Sequence, residues 1–261
     1  MACKLAFTHI PKTGGSAIER WAFSHGIRWG CYDRSLLDLK NRQVFAFEQT
    51  GEADEEIWTR TLKGCEHIIE AREKLCCNPW HIPMVVPLSP LRWLGPRWNF
   101  CVTRDPVHRI VSQYFWEVNY RHWDRTAMLR FPWLPHRLNE WVLQSIQKVY
   151  KEPFTIDCHI VHERAYMARD IVWAKDLQPF GCAQTPRPSM QQGLCNILVR
   201  FEHLESDLRA LMQRANLTRL VNSPFNDTQY DTSNVTRVAA QMLNASTVRR
   251  IHETWGPVIS S

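Results

Sequence analysis

Three times along the chain an apolar, β-rich run gives way to a segment with helical periodicity. That alternation limits the fold more than any other feature, because strand-then-helix units are what parallel sheets are built from. The first unit is a strand over residues 5–10 followed by a helix over about residues 16–23. The second is a strand over Trp98–Thr103 and a helix from Pro106 to about Asn119. Asp105 is its N-cap, and Val107, Ile110, Val111, Tyr114, Phe115 and Val118 line one face. The third is a strand over residues 196–201 and a helix carrying Leu204, Leu208, Leu211, Met212 and Ala215 at helical spacing. The expected class is α/β with a central parallel sheet.

Between these units the pattern is weaker. Residues 43–47 read as a further strand, and residues 138–146 and 244–255 as helices. Residues 76–96 hold five of the 15 prolines, so they read as an extended or turning loop. The 12 tryptophans are spread along the chain, densest in its middle; core and loop anchoring is the first reading, a platform for a ring the second.

With 261 residues, 44% of them apolar, the chain suffices for one sizeable core and is read as a single domain, which excludes disordered, collagen-like and coiled-coil classes. The longest apolar runs, such as residues 82–88, fall far short of the roughly 20 residues of a membrane span. The start runs straight into a strand and leaves no room for a signal peptide, so the expectation is a cytosolic protein, unless an anchor is missing from this sequence. Nine cysteines without any C-x-x-C imply neither a zinc ribbon nor a complete disulfide framework. Four Asn-x-Ser/Thr triplets, at Asn216, Asn226, Asn234 and Asn244, matter only in the secretory pathway.

The net charge of +6 rests on 24 arginines and 8 lysines. An arginine excess suits phosphate, sulfate or acidic-sugar ligands, although codon bias explains it equally well. No basic run forms a nucleic-acid stripe, and no nucleic-acid partner is expected.

Chemistry concentrates at two strand ends. In His9-Ile10-Pro11-Lys12-Thr13-Gly14-Gly15-Ser16 the glycines let the backbone curl so that N–H groups converge, the helix N-terminus adds positive potential, and Lys12, Thr13 and Ser16 add donors. This is a phosphate cradle but not a Walker A loop, since the lysine precedes the glycines. The second feature is Arg104-Asp105-Pro106-Val107-His108-Arg109-Ile110-Val111-Ser112-Gln113-Tyr114. Here Arg104 sits just before the helix cap, and Arg109 and Ser112, three residues apart, offer a guanidinium and a hydroxyl to one anion, or Arg109 is structural and paired with a carboxylate such as Asp105. Ligands collect at the carboxyl ends of strands in open α/β sheets, so two adjacent anion sites point to a nucleotide with phosphates at two positions. Cys158-His159-Ile160-Val161-His162-Glu163 matches no metal motif, and Cys76-Cys77 beside His81 reads as buried thiols.

These residues resemble the sulfotransferase superfamily, especially its carbohydrate-type branch, which includes heparan sulfate 2-O-sulfotransferase. Residues 11–16 are similar to that branch's 5′-phosphosulfate loop, residues 104–114 to its 3′-phosphate motif (R-D-P-x-x-R-x-x-S-x-Y), and Leu198-Val199-Arg200-Phe201-Glu202-His203-Leu204 to a third segment, V-x-x-[YF]-E-x-L. The resemblance implies a P-loop-NTPase-like three-layer fold that binds 3′-phosphoadenosine 5′-phosphosulfate (PAPS) and moves its sulfuryl group without a metal. Lys12, Thr13, Gly14, Gly15, Ser16 and Ala17 would hold the 5′ end, and Arg104 and Ser112 the 3′-phosphate. Ser16-Ala17 replaces the hydroxyl pair many members have after the glycines.

On this reading Lys12 supplies charge at the bridging oxygen, and His81, 23 residues before Arg104 as in the 2-O-sulfotransferase branch, is the general base; His9 and His159 are alternatives. Residues 120–190 would form the acceptor side, for a carbohydrate or small molecule. The branch is anchored in the Golgi, so a lost anchor would place the chain in the Golgi lumen. Rival readings are a nucleotide-dependent kinase and a non-catalytic binder of nucleotide or anionic glycan.

Overall fold

β1 (Leu5–Phe7), β2 (Trp98–Thr103), β3 (Met167–Trp173) and β4 (Cys195–Arg200) form one parallel sheet in the order β1-β2-β4-β3. The computed structural model describes residues 5–29, 98–122, 135–151, 160–178, 195–221, 225 and 233–256. The helices are α1 (Gly15–Ser24), α2 (Pro106–His122), α3 (Pro135–Lys151), α4 (Leu204–Arg214), α5 (Thr218–Val221), α6 (Ser233–Ala240) and α7 (Ala245–Trp255). The chain is thus α/β, with a central parallel sheet flanked by helices.

Alternation along the strands separates two faces. Phe100, Val102, Ile197 and Val199 turn towards α1 and α4, where they bury Ile18, Ala22, Leu208, Leu211 and Met212. Cys101 and Leu198 turn the other way and meet Ile10, Val161 and Tyr166. A separate apolar cluster joins α2 to α3, α6 and α7 through Val111, Val142, Ile146 and Ile251, all fully buried. Truncating Ile146 or Ile251 to alanine costs about 2–5 kcal/mol, so this second cluster helps to fix α2 and the loop before it.

Several boundaries differ from the sequence reading, each for a local reason. β1 stops at Phe7 because the chain turns away through Pro11 and a left-handed Lys12, although Thr8 N–H still donates to Phe100 O at 2.8 Å. β4 stops at Arg200, whose backbone N–H and guanidinium bond the Asp207 carboxylate at 2.7–3.0 Å and draw Phe201–His203 into a 3₁₀ turn. The helix expected over residues 138–146 extends over Pro135–Lys151. β3 and α6 were not anticipated; residues 43–47 and 76–96 lie outside the described residues.

A disulfide joins Cys101 of β2 to Cys195 of β4, with Cα atoms 5.8 Å apart and both residues fully buried. Adjacency of the strands creates it, since the residues are 94 apart in sequence. Among the described residues, no helix is long and apolar enough to cross a membrane.

Candidate anion-binding site at the strand ends

The loop between β1 and α1 is held open by its backbone. Lys12 (φ 66°) and Gly14 (φ 85°) are both left-handed, and Thr13 between them is not. Such alternation turns successive N–H groups to one side, the geometry of an anion nest. A left-handed lysine costs about 1–2 kcal/mol, strain of the kind that collects at binding sites. Gly14 is also the N-cap of α1, with no side-chain cap and no acid in the first turn to neutralise the helix's positive end. Gly15 is required by contact: a Cβ there would lie 2.3 Å from Cδ2 of His9.

Beneath this loop, His9 Nδ1 and Glu19 Oε1 meet at 2.8 Å, both side chains buried. The pair ties the end of β1 to the first turns of α1. Thr13 is fully buried and its hydroxyl donates to Ile10 O at 2.8 Å, so the side chain braces the loop. Ser16 is exposed at the helix start and Ala17 half-buried, its N–H donating to Gly14 O at 3.1 Å. Lys12 Nζ sits 5.4 Å from the centroid of the Trp116 ring, a cation–π contact reaching across from α2.

The second strand end is brought to the first by Arg104. Its Nη1 donates to Lys12 O at 3.2 Å across 92 residues of sequence, and its guanidinium lies 4.2 Å from the centroid of Phe201. The residue is only 8% exposed, and among the described residues its Nε has no hydrogen-bond partner. Burial pushes the Arg104 pKa down to about 10, against the opposing pull of Glu202, Asp105 and Glu163. It stays cationic at neutral pH, as a desolvated charge with an unused donor.

Asp105 caps α2 as read from the sequence, its carboxylate accepting His108 N–H at 2.9 Å. Arg109 is structural: Nε donates to Pro11 O at 3.0 Å, Nη2 to Val161 O at 2.9 Å, and Glu163, not Asp105, is its carboxylate at 3.5 Å. Arg109 therefore clamps the β1–α1 loop to the β2–α2 corner. Ser112 is half-buried on α2, and no hydrogen bond of its hydroxyl is seen among the described residues.

Three residues that shape this corner were given no role from sequence. Glu163 is buried between the two arginines, accepting from the Thr103 hydroxyl and from Arg104 N–H. Burial pushes its carboxyl above the usual range, opposed by Arg109 and those hydrogen bonds. Phe201 stacks on Arg104, and Glu202 accepts Asp105 N–H at 3.0 Å. For Phe201 and Glu202 the signal was the third motif itself, which the fold sets against the second. His162 Nδ1 accepts Arg164 N–H, capping the turn Glu163–Tyr166. His81, His159 and Cys158 lie outside the described residues.

The site is thus two cationic corners, one built on backbone N–H groups and one on a buried guanidinium, joined by a direct hydrogen bond. No family model matches the chain, and neither does any curated protein or solved structure.

Proposed function

We propose that the chain is a sulfotransferase that moves the sulfuryl group of PAPS to a hydroxyl of a carbohydrate or small natural product. One observation carries the reading: Arg104, buried and with an Nε that has no partner among the described residues, is bonded to the carbonyl of Lys12, so both motif loops share one edge of the sheet. A nucleotide with phosphates at two positions matches that layout. The uncapped start of α1 fits a 5′-phosphosulfate, and the orphaned guanidinium donor fits a terminal 3′-phosphate. A P-loop-like arrangement of the sheet belongs to the same reading, supported by the strand–loop–helix at β1 and α1.

In the reaction, the acceptor oxygen forms a bond to sulfur as the bond from sulfur to the bridging phosphate oxygen breaks. The acceptor's proton passes to a base, for which His81 is the candidate, and 3′,5′-adenosine bisphosphate leaves. The chain's contribution is alignment and charge: Lys12 opposite the oxygen that becomes negative, and loop N–H groups on the phosphate. Leaving its place over Trp116 costs Lys12 about 0.5–2 kcal/mol, repaid by a doubly charged leaving group. The test is incubation with PAPS and a panel of glycan and phenolic acceptors, monitoring 3′,5′-adenosine bisphosphate. Acceptor-dependent release in the presence of a metal chelator supports transfer; binding of PAPS with no release for any acceptor would leave only a nucleotide-binding protein.

A further inference from the structure

Two of the four Asn-x-Ser/Thr triplets, at Asn216 and Asn244, begin with an asparagine whose side chain is among those described, and the fold treats them differently. Asn244 is the N-cap of α7: its Oδ1 accepts from Thr247 N–H and from the Ser246 hydroxyl, each at 2.8 Å, and its own N–H donates to Asn139 Oδ1 at 3.1 Å. Asn216 is exposed just beyond α4, left-handed at φ 56°, and no hydrogen bond of its side-chain amide is seen among the described residues. Only its backbone is used. Asn216 N–H donates to Gln213 O at 3.1 Å and Leu217 N–H to Met212 O at 2.9 Å, closing the helix in a Schellman turn with Leu217 packed on the core. The turn accounts for an asparagine at a left-handed position, but it makes no demand for a threonine two residues later. Asn226 lies outside the described residues, as does the side chain of Asn234.

A second observation bears on compartment. The Cys101–Cys195 disulfide is fully buried between the two central strands, and such bridges persist where the surroundings are oxidising. The secretory lumen is one such environment, and there lipid-diphosphate oligosaccharides are presented to Asn-x-Ser/Thr acceptors.

We propose that Asn216 carries an N-linked glycan and that this protein folds in an oxidising secretory lumen. The Asn216 Nδ2 forms a bond to the anomeric carbon of the donor's first sugar and loses a proton. The anomeric C–O bond breaks, and the lipid diphosphate leaves; nothing is oxidised or reduced. An exposed turn whose asparagine amide makes no hydrogen bond among the described residues accommodates the glycan.

The test is expression of the full chain behind a cleavable secretion signal in a glycosylating eukaryotic host. The purified protein is treated with peptide N-glycosidase in heavy-oxygen water, and the protease fragments are weighed. Expected is a heavy-oxygen aspartate at position 216 in most molecules, with Cys101 and Cys195 recovered as a linked pair. Two variants separate acceptor from turn. Asn216→Gly keeps a residue favoured at a left-handed position, Thr218→Ala keeps Asn216 itself, and the label is lost from both. Secreted, disulfide-linked protein with an unlabelled Asn216, or a label that survives Thr218→Ala, would overturn the proposal.

Discussion

Replacing Arg104 by methionine separates its cost to the fold from its use. Burial pushes its pKa below the ordinary guanidinium range to about 10, so holding the guanidinium charged at neutral pH costs the folded state about 3 kcal/mol. The sign follows from its being a base: a lowered pKa disfavours the charged form, and the cost is fully present at every pH below about 10. Methionine fills similar space against Phe201 without a charge, and among the described residues the one side-chain hydrogen bond forfeited is that to Lys12 O. Arg104→Met should therefore leave the ligand-free protein no less stable, with a gain of up to about 3 kcal/mol, as when apolar groups replace a buried charge. Urea unfolding at neutral pH with an unchanged m-value reads this directly. The same variant should bind PAPS on the order of a hundredfold more weakly, the scale of losing a buried charged partner. It should bind adenosine 5′-phosphosulfate, which lacks the 3′-phosphate, almost as the parent does. A loss of more than about 1 kcal/mol in stability, or equal weakening of both nucleotides, would make Arg104 a structural arginine like Arg109.

Lys12→Ala should remain folded, because the side chain is only half-buried in a loop, but turnover at saturating PAPS should fall on the order of a hundredfold; unchanged turnover would remove its leaving-group role. Gly15→Ala drives a methyl into the His9 ring, so it should lower stability by about 1–3 kcal/mol and weaken nucleotide binding, both read from thermal melts with and without 3′,5′-adenosine bisphosphate. His81→Ala should abolish most turnover with PAPS affinity nearly intact, read from initial rates and nucleotide titration of both proteins. Parallel loss of binding and activity would take His81 out of the base role.

The parts of the site legible in the sequence are those fixed by near neighbours. Asp105 and Pro106 announce the start of α2, and Gly14-Gly15 after an apolar run announces the curl before α1. What escaped depends on distance. Arg109 finds Pro11 98 residues away and Val161 52 residues away, so its sequence neighbour Asp105 was a misleading partner. Glu163 became the hub of the two arginines only because β2 brings Thr103 and Arg104 against it. β3 was hidden for a different reason. Arg169 and Asp170 interrupt its apolar pattern, and the register against β4 shifts between Met167 and Val172, so no clean two-residue period survives. The disulfide was equally invisible, since Cys101 and Cys195 meet only when β2 and β4 pair.

Whether the two strand-end corners hold one nucleotide is read from a crystal structure of the protein with 3′,5′-adenosine bisphosphate. The expected result is a 5′-phosphate on the backbone N–H groups of residues 12–16 at the start of α1, and a 3′-phosphate within hydrogen-bond reach of Arg104 Nε and the Ser112 hydroxyl. A nucleotide bound away from both corners, or a 3′-phosphate that leaves Arg104 Nε unpartnered, would contradict it.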